Sequence, residues 1–162
     1  MLLLKNLAFT ILVPGTVAGL VPYAILASPP HLAPPGTEAL QLAGLVLALL
    51  GGTLYLACIR GFARLGRGTP APIDPPRTLV VSGPYRFTRN PMYIAVHTVI
   101  LGEAMLFASG RLLVYGLAVL AAFHLFVVLY EEPTLRRLFG PAYETYCAEV
   151  PRWLPVMKAP KR

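Results

Sequence analysis

Residues 83–130 read GPYRFTRNPMYIAVHTVILGEAMLFASGRLLVYGLAVLAAFHLFVVLY, and this stretch decides the fold. It opens with a polar segment, GPYRFTRNPMY (83–93), and continues into two apolar runs that are separated only by Ser109, Gly110 and Arg111. Two apolar runs joined by so short a connection predict a tight hairpin of two helices. The polar segment therefore lies at the mouth of a helix, and its two arginines, two tyrosines and asparagine need an explanation.

The composition is that of a membrane protein. Of the 162 residues, 56% are hydrophobic and 13% are charged, and the mean hydropathy is +0.65. Soluble domains carry about 25% charged residues. We expect one membrane domain over residues 1–162. The two cysteines, Cys58 and Cys147, lie in different segments and are predicted to be free thiols.

Four segments are apolar enough to cross the hydrocarbon, which takes about 20 helical residues. The first contains Pro14 and Pro22, which membrane helices tolerate better than helices in water. A cleaved signal peptide is the alternative for this segment, but its apolar run exceeds the 7–15 residues of a signal sequence. The sequence thus predicts an all-α, polytopic protein with about four spans, at residues 7–27, 40–59, 92–108 and 112–130.

Arginines predict the orientation. The connection between the second and third segments, residues 60–90, holds six arginines against one aspartate, Asp74, and the tail after Tyr130 is also basic. The loop SPPHLAPPGT (28–37) has neither lysine nor arginine. By the positive-inside rule the long loop and both termini are cytoplasmic, in the inner membrane if the protein is bacterial. The net charge of +7 then reflects a basic face beside anionic lipids, without a nucleic-acid partner.

The cytoplasmic loop and the hairpin together predict a site. The segment TPAPIDPPRTLVVSG (69–83) is too rich in proline for a regular helix, so we expect an extended cytoplasmic flap with an apolar strip at residues 79–81. The third helix starts, and the fourth ends, on the cytoplasmic side. The polar segment 83–93 and the segment YEEPTLRRLFG (130–140) must therefore be close in space.

Two features of these segments suit a ligand. Asn90 is predicted to cap the third helix with Pro91 as its first residue, and the free N–H groups of such a helix start suit a carboxylate, phosphate or ribose hydroxyl. An ordinary helix start without a ligand is the alternative. Glu131 and Glu132 form an acidic pair opposite this helix mouth. The alternative for the pair is interfacial solvation with ion pairs to the arginines one turn later.

Ionisable residues within the apolar segments are further candidates. His97 follows Tyr93 by four residues and His124 precedes Glu131 by seven, so each histidine shares a helix face with a candidate site residue. We expect the two histidines to meet at the floor of the pocket; the alternative is that each is a packed histidine bonded within the bundle. Glu103 lies deeper and is expected to partner a neighbouring helix.

The tail has apolar residues at helical spacing, interrupted at Gly140-Pro141. It predicts a C-terminal amphipathic helix at the membrane interface that closes the pocket, with Trp153 at the level of the lipid headgroups. Arg152 is a further candidate for contact with a cofactor.

Three motifs in this order, GPYRFTRNPMY (83–93), YEEPTLRRLFGPAYETY (130–146) and VPRWLP (150–155), carry a resemblance. The chain resembles the isoprenylcysteine carboxyl methyltransferases and the related phospholipid methyltransferases, integral membrane enzymes that use S-adenosylmethionine. The resemblance covers about residues 66–157, and it implies that this part encloses the cofactor. It places Glu131 towards the substrate. The family often has His-Pro where this chain has Asn90-Pro91, which leaves Asn90 a binding role only. The candidate cofactor-binding residues are Arg77, Thr78, Leu79, Val80, Tyr85, Arg89, Asn90, Pro91, Met92, Tyr93 and Glu132.

The resemblance implies methyl transfer from S-adenosylmethionine to a lipid-like or prenylated acceptor that enters from the bilayer. An isoprenylcysteine carboxylate or a phospholipid amine would serve. A thiolate or carboxylate acceptor needs no base, whereas an amine must lose a proton, and Glu131, His97 and His124 are then the catalytic candidates. The alternatives are an NADPH-dependent, sterol-type double-bond reductase, whose C-terminal motifs are similar, and a non-enzymatic membrane scaffold or small transporter.

Overall fold

The computed structural model describes residues 12–27, 33–61 and 78–156. Within these ranges the chain forms helices and connecting loops, without a strand. A single-turn π-helix at Thr16–Leu20 precedes the first α-helix, a 3₁₀ turn occupies Gly83–Arg86, and a second π-turn spans Val127–Glu131. The α-helices are α1 (Val21–Ala27), α2 (Glu38–Gly61), α3 (Pro91–Leu106), α4 (Gly110–Phe126), α5 (Glu132–Phe139) and α6 (Pro141–Glu149).

Two helical rods are long and apolar enough to cross a membrane. They are α2, with 24 residues, and the continuous rod Gly110–Phe139, with 30. Only 22% and 17% of their most apolar windows are buried within the protein, so their apolar side chains face outward as those of lipid-exposed helices do. Thr16–Ala27 and Pro91–Leu106 are apolar but shorter. The all-helical fold is confirmed over the described residues, and two of its helices are long and apolar enough to span a membrane, while the count of four spans stays a prediction.

Glycines allow α2 and α3 to pack with their backbones in contact. A Cβ atom placed on Gly51 would lie 2.8 Å from the carbonyl oxygen of Ala95, and one on Gly102 would lie 2.5 Å from the backbone nitrogen of Ala48. A Cβ on Gly44 would collide with the backbone of Leu106. Small residues at such contacts are how membrane helices gain packing energy without a hydrophobic drive between them. This interface sets the position of α3 against α2, and α3 carries much of the site.

The predicted hairpin between the third and fourth apolar segments is confirmed. The chain turns at residues 107–109, with Ala108 at a positive φ of 47°, and the hydroxyl oxygen of Ser109 accepts a hydrogen bond from the backbone nitrogen of Leu112 at 3.4 Å. Gly116 then lets α4 lie close to Ile100 of α3. Because α3 and α4 are antiparallel, the end of α4 lies beside the start of α3. The expected proximity of segments 83–93 and 130–140 is a direct result.

The C-terminal part breaks where the sequence predicts it to break. Gly140 separates α5 from α6 at a φ of 50°, and Pro141 is the first residue of α6. Tyr143, Tyr146 and Val150 form a buried cluster. Cys58 and Cys147 are both free thiols, as expected.

Candidate functional site

A cavity of about 500 Å³ lies between the N-terminal segment, α3 and the end of α4. Its volume is within the range of pockets that bind small molecules. The side chains around most of it are apolar, and the polar groups gather at one end. The apolar lining is Val13, Pro14, Val17, Met92, Val96, Ala122, Phe123 and Phe126, and the polar lining is Tyr85, Arg89, Asn90, Tyr93 and Glu131.

Tyr93 and Glu131 meet at the polar end of the cavity. The Tyr93 hydroxyl donates a hydrogen bond of 2.6 Å to Oε2 of Glu131. Glu131 is the last residue of the π-turn that joins α4 to α5. A π-turn adds one residue to a helical turn, which rotates the later residues by about 100° relative to an uninterrupted α-helix. After this turn the side chain of Glu131 points towards α3, where it meets Tyr93, and away from the outward face of α4.

Glu132 is part of a different group from Glu131. Glu132 is 2% exposed. The guanidinium of Arg152 binds its carboxylate in a bidentate manner, with Nε donating to Oε1 at 2.7 Å and Nη2 to Oε2 at 3.0 Å. Arg89 lies 3.3 Å and Arg136 3.6 Å from its carboxylate oxygens. The hydrogen bond to Glu132 raises the pKa of Arg152 above its ordinary value. Since arginines already occupy both oxygens, Glu132 holds the arginine cluster together, and its contact with a cofactor stays a prediction.

Arg89 connects this cluster to the cavity. Its Nη1 donates to the sulfur of Cys147 at 2.6 Å, and its backbone nitrogen donates to the carbonyl of Pro151 at 2.9 Å. Its Nε is buried and has no hydrogen-bond partner among the described residues. Because the side chain of Arg89 also lines the cavity, its positive charge suits an oxyanion of a bound molecule.

Pro91 begins α3, as predicted, but the side chain of Asn90 does not cap the helix. Its Nδ2 instead donates to the carbonyl of Arg152 at 3.0 Å, and the hydroxyl of Thr88 donates to the same carbonyl at 3.0 Å. The capping prediction is wrong because the C-terminal segment offers a carbonyl to the amide. Thr88 was not predicted from the sequence, and no feature of its neighbourhood in the sequence marks it. Together, Thr88 and Asn90 bind the carbonyls of Arg152 and Trp153 and hold this segment across the start of α3.

Tyr85 and Met92, two further candidates, line the cavity. Tyr85 is buried, and its carbonyl accepts a hydrogen bond of 2.8 Å from the hydroxyl of Tyr146. Burial, aided by the negative charges of Cys58 and Glu131 in their ionised forms, raises the pKa of the Tyr85 hydroxyl well above its ordinary value. Tyr85 is therefore neutral at physiological pH and acts as a hydrogen-bonding and packing group.

The predicted flap is described only in part. Arg77 and residues 69–76 lie outside the described residues. Thr78 is exposed, Leu79 and residue 81 pack against the cluster of Tyr143, Tyr146 and Val150, and Val80 packs with Cys58 and Tyr85. None of residues 78–81 lines the cavity. Their cofactor contacts, and the flap itself, stay predictions.

The expectation that His97 and His124 meet at the cavity floor is wrong. Neither lines the cavity. Nδ1 of His124 accepts a hydrogen bond of 3.1 Å from Nε1 of Trp153, on the exposed side of α4. His97 faces Gly116, eight residues earlier on α4, or about 12 Å along the helix axis. The two histidines do not meet because the hairpin offsets them along the helix axes. A catalytic role for either residue stays a prediction, and neither residue contacts the cavity.

Two further polar candidates lie outside the cavity lining. Glu103 is predicted to partner a neighbouring helix, yet its Oε2 is buried and has no hydrogen-bond partner among the described residues, and neither does Nδ1 of His97. Arg152 is a candidate for contact with a cofactor; its guanidinium is bound to Glu132, and contact with a cofactor stays a prediction.

The fold and the site define a membrane protein with a mostly apolar cavity that ends in ionisable groups. A family model described as phospholipid methyltransferase matches residues 40–142, more than half of the chain, and the chain belongs to this family. The match runs from the first turn of α2 to the start of α6 and includes Tyr93 and Glu131. It assigns the chain to the membrane methyltransferases and does not favour the reductase alternative. No significant match was found among curated proteins or among solved structures.

Proposed function

We propose that the protein transfers a methyl group from S-adenosylmethionine to the amine head group of a lipid, with Glu131 as the residue that receives the proton of the acceptor. The observation that carries this proposal is the hydrogen bond of 2.6 Å between Tyr93 and Glu131 at the polar end of an otherwise apolar cavity. An apolar cavity suits a lipid tail, and a carboxylate at its end suits a cationic head group.

The residues at the polar end fit the cofactor. Arg89 lines the cavity, and its guanidinium suits the carboxylate of the methionine part. Tyr85 and Tyr93 offer aromatic faces for an adenine, and Asn90 also lines the cavity. When bound, S-adenosylmethionine supplies an electrophilic methyl group on a positively charged sulfur. In the proposal the remaining contacts come from the flap residues Arg77 to Val80.

Glu131 and Tyr93 have different roles towards the acceptor: Glu131 accepts its proton, and Tyr93 orients Glu131. The Tyr93 hydroxyl occupies Oε2 of Glu131 and fixes the direction of the carboxylate. Oε1 is then the oxygen that accepts a proton from the lipid ammonium. Loss of that proton frees the nitrogen lone pair, which forms the new C–N bond as the C–S bond breaks. An acceptor carboxylate, as in isoprenylcysteine, would meet repulsion from Glu131, and this favours an amine among the acceptors of this class.

The apolar lining favours entry of the acceptor from the bilayer. A lipid that came through water would lose about 0.8 kcal/mol for each CH₂ group that it exposed. Val96 on α3 and Phe123 and Phe126 on α4 offer an apolar surface for the tail. In the proposal the chain crosses the membrane four times with both termini in the cytoplasm, so that the cofactor reaches the polar end from the aqueous side.

Methyl transfer in nanodiscs tests the proposal. Purified protein is incubated with methyl-labelled S-adenosylmethionine and, in separate reactions, a lipid extract, a defined aminophospholipid and a prenylated cysteine carboxylate. We expect label in the aminophospholipid. Glu131→Gln should abolish transfer and keep affinity for S-adenosylhomocysteine, whereas Glu149→Gln, a change to an exposed glutamate at the end of α6, should leave both unchanged.

Three results would contradict the proposal. Label only in the prenylated carboxylate would remove the amine acceptor. Normal turnover by Glu131→Gln would remove this glutamate from the mechanism. Binding of NADPH without binding of S-adenosylhomocysteine would support the reductase instead of a methyltransferase.

A further inference from the structure

The N-terminal segment contains a carbonyl that its own helix leaves without a donor. In the π-turn Thr16–Leu20 the backbone nitrogen of Val21 donates to the carbonyl of Thr16, five residues earlier. In the same pattern residue 22 would donate to the carbonyl of Val17. Residue 22 is a proline, which has no N–H. The π-turn and the proline together free the carbonyl of Val17.

Tyr115, in the middle of α4, satisfies this carbonyl. Its hydroxyl donates a hydrogen bond of 2.7 Å to the carbonyl oxygen of Val17, across 98 positions of sequence. The Tyr115 ring packs in the same apolar cluster as Val17 and Phe123. Within hydrocarbon an unpaired carbonyl is costly, so the segment depends on this donor to keep its place on α4.

The segment that Tyr115 holds is a thin wall of the cavity. Val13, Pro14 and Val17 line the cavity opposite the apolar residues of α4, while Leu12 and Leu20 on the same segment are 70% and 63% exposed. The backbone leaves helical geometry at Ala18, directly after Val17, with φ −109° and ψ 17°. Among the described residues, one layer of a kinked helix thus lies between the apolar part of the cavity and the exposed side chains of Leu12 and Leu20.

We propose that Tyr115 is a specificity-determining positioning residue: its bond to Val17 fixes the π-turn and thereby the width of the cavity for the apolar chain of the acceptor. This inference rests on the proposed function, because it assumes that the apolar part of the cavity holds that chain. The bond itself does not depend on the reaction. Tyr115 does not line the cavity and therefore acts through the wall.

Tyr115→Phe tests the inference because it removes the hydroxyl and keeps the ring. The two proteins are compared with a series of lipid acceptors whose apolar chains differ in width. We expect the acceptor KM of the variant to be about five-fold higher than that of the wild type, because loss of an ordinary hydrogen bond changes an equilibrium constant by about this factor. The preference among chains should broaden, while kcat and affinity for S-adenosylhomocysteine stay within about two-fold, because neither depends on the wall. Tyr130→Phe, which removes the hydroxyl of an exposed tyrosine further along the same rod, is the matched control.

Pro22→Ala supplies the rescue. It restores an N–H at residue 22, so the carbonyl of Val17 gains a donor from its own helix. In that background Tyr115→Phe should raise the acceptor KM by less than about two-fold. An unchanged KM and chain preference in Tyr115→Phe, an equal fall in cofactor affinity, or a failed rescue by Pro22→Ala would each overturn the inference.

Hydrogen exchange separates this inference from the proposed function. In Tyr115→Phe, amides 16–21 should exchange about five-fold faster than in the wild type, for the same hydrogen-bond reason, while α2 exchanges at its original rate. If the wild type methylates no lipid, the proposed function fails and this measurement still decides whether Tyr115 fixes the wall. Equal exchange in the two proteins would overturn the inference even in an active enzyme.

Discussion

The hydroxyl of Tyr93 lies 2.6 Å from Oε2 of Glu131, so the first turn of α3 and the end of the π-turn after α4 meet on one hydrogen bond across 38 positions of sequence. The neighbouring residue, Glu132, points away from this bond into a cluster of three arginines. Two adjacent glutamates thereby have different environments. One is held by a neutral hydroxyl at the cavity, and the other is neutralised by guanidinium groups.

Removal of the Tyr93 hydroxyl should slow the reaction. We expect Tyr93→Phe to lower kcat about ten- to hundred-fold, since a hydrogen bond to a charged group is worth about 1.5–3 kcal/mol. Affinity for S-adenosylhomocysteine should change little, because the aromatic ring remains. Steady-state transfer of labelled methyl groups measures the first quantity and titration the second. Tyr23→Phe, at a tyrosine that is 70% exposed, is the control and should behave as the wild type. An unaltered kcat in Tyr93→Phe would mean that the hydroxyl does not orient Glu131.

The bidentate contact between the guanidinium of Arg152 and Glu132 should stabilise the folded protein. Arg152→Lys keeps the positive charge but loses the two-point contact with Glu132, and lysine cannot replace the planar fork. We expect a loss of about 1–2 kcal/mol in the free energy of unfolding, on the scale of one or two hydrogen bonds. Thermal unfolding in detergent measures the change. Arg137→Lys, at an exposed arginine on α5, should shift stability by less than about 0.5 kcal/mol. Equal effects of the two substitutions would contradict a structural role for the cluster.

The glycines between α2 and α3 provide a matched test of packing. Gly51→Ala places a methyl group against the carbonyl of Ala95, whereas a Cβ on Gly52, the next residue, meets nothing within 4 Å. We expect Gly51→Ala to destabilise the protein by about 1–3 kcal/mol, the usual cost of overpacking. Gly52→Ala should be neutral or stabilising by up to about 1 kcal/mol, since alanine favours a helix more than glycine does. Unfolding in a mild detergent compares them. If Gly52→Ala is the more harmful of the two, the described contact between the helices is wrong.

The arginine asymmetry predicts that Ala33 and Thr78 lie on opposite sides of the membrane. A cysteine at each position, in a background without Cys58 and Cys147, should react with an impermeant thiol reagent from opposite sides. Ala33 precedes α2, and Thr78 lies in the loop between α2 and α3. Labelling of both from one side would show that α2 does not cross the membrane, and the proposed shared cytoplasmic face of the site would be lost.

Much of the architecture is determined by the sequence alone. The apolar runs and the short connection at 109–111 determined a helical hairpin, because a membrane allows helices and a three-residue connection forces neighbours to run back. That hairpin alone determined that segments 83–93 and 130–140 come together. Pro91 at the start of α3 and the break at Gly140-Pro141 were also predictable, since proline and glycine act on the backbone locally.

Only the tertiary structure decided which partner each polar side chain has. The sequence offered Glu131 and Glu132 as one acidic pair and Asn90 as a helix cap. The fold instead gives Glu131 to the hydroxyl of Tyr93, surrounds Glu132 with three arginines, and gives the amide of Asn90 to the carbonyl of Arg152. It also offsets His97 from His124 and joins Tyr115 to Val17. Helical periodicity fixes the face of a side chain, whereas a hydrogen bond depends on rotation and offset to within about 1 Å, and these are set by packing between helices.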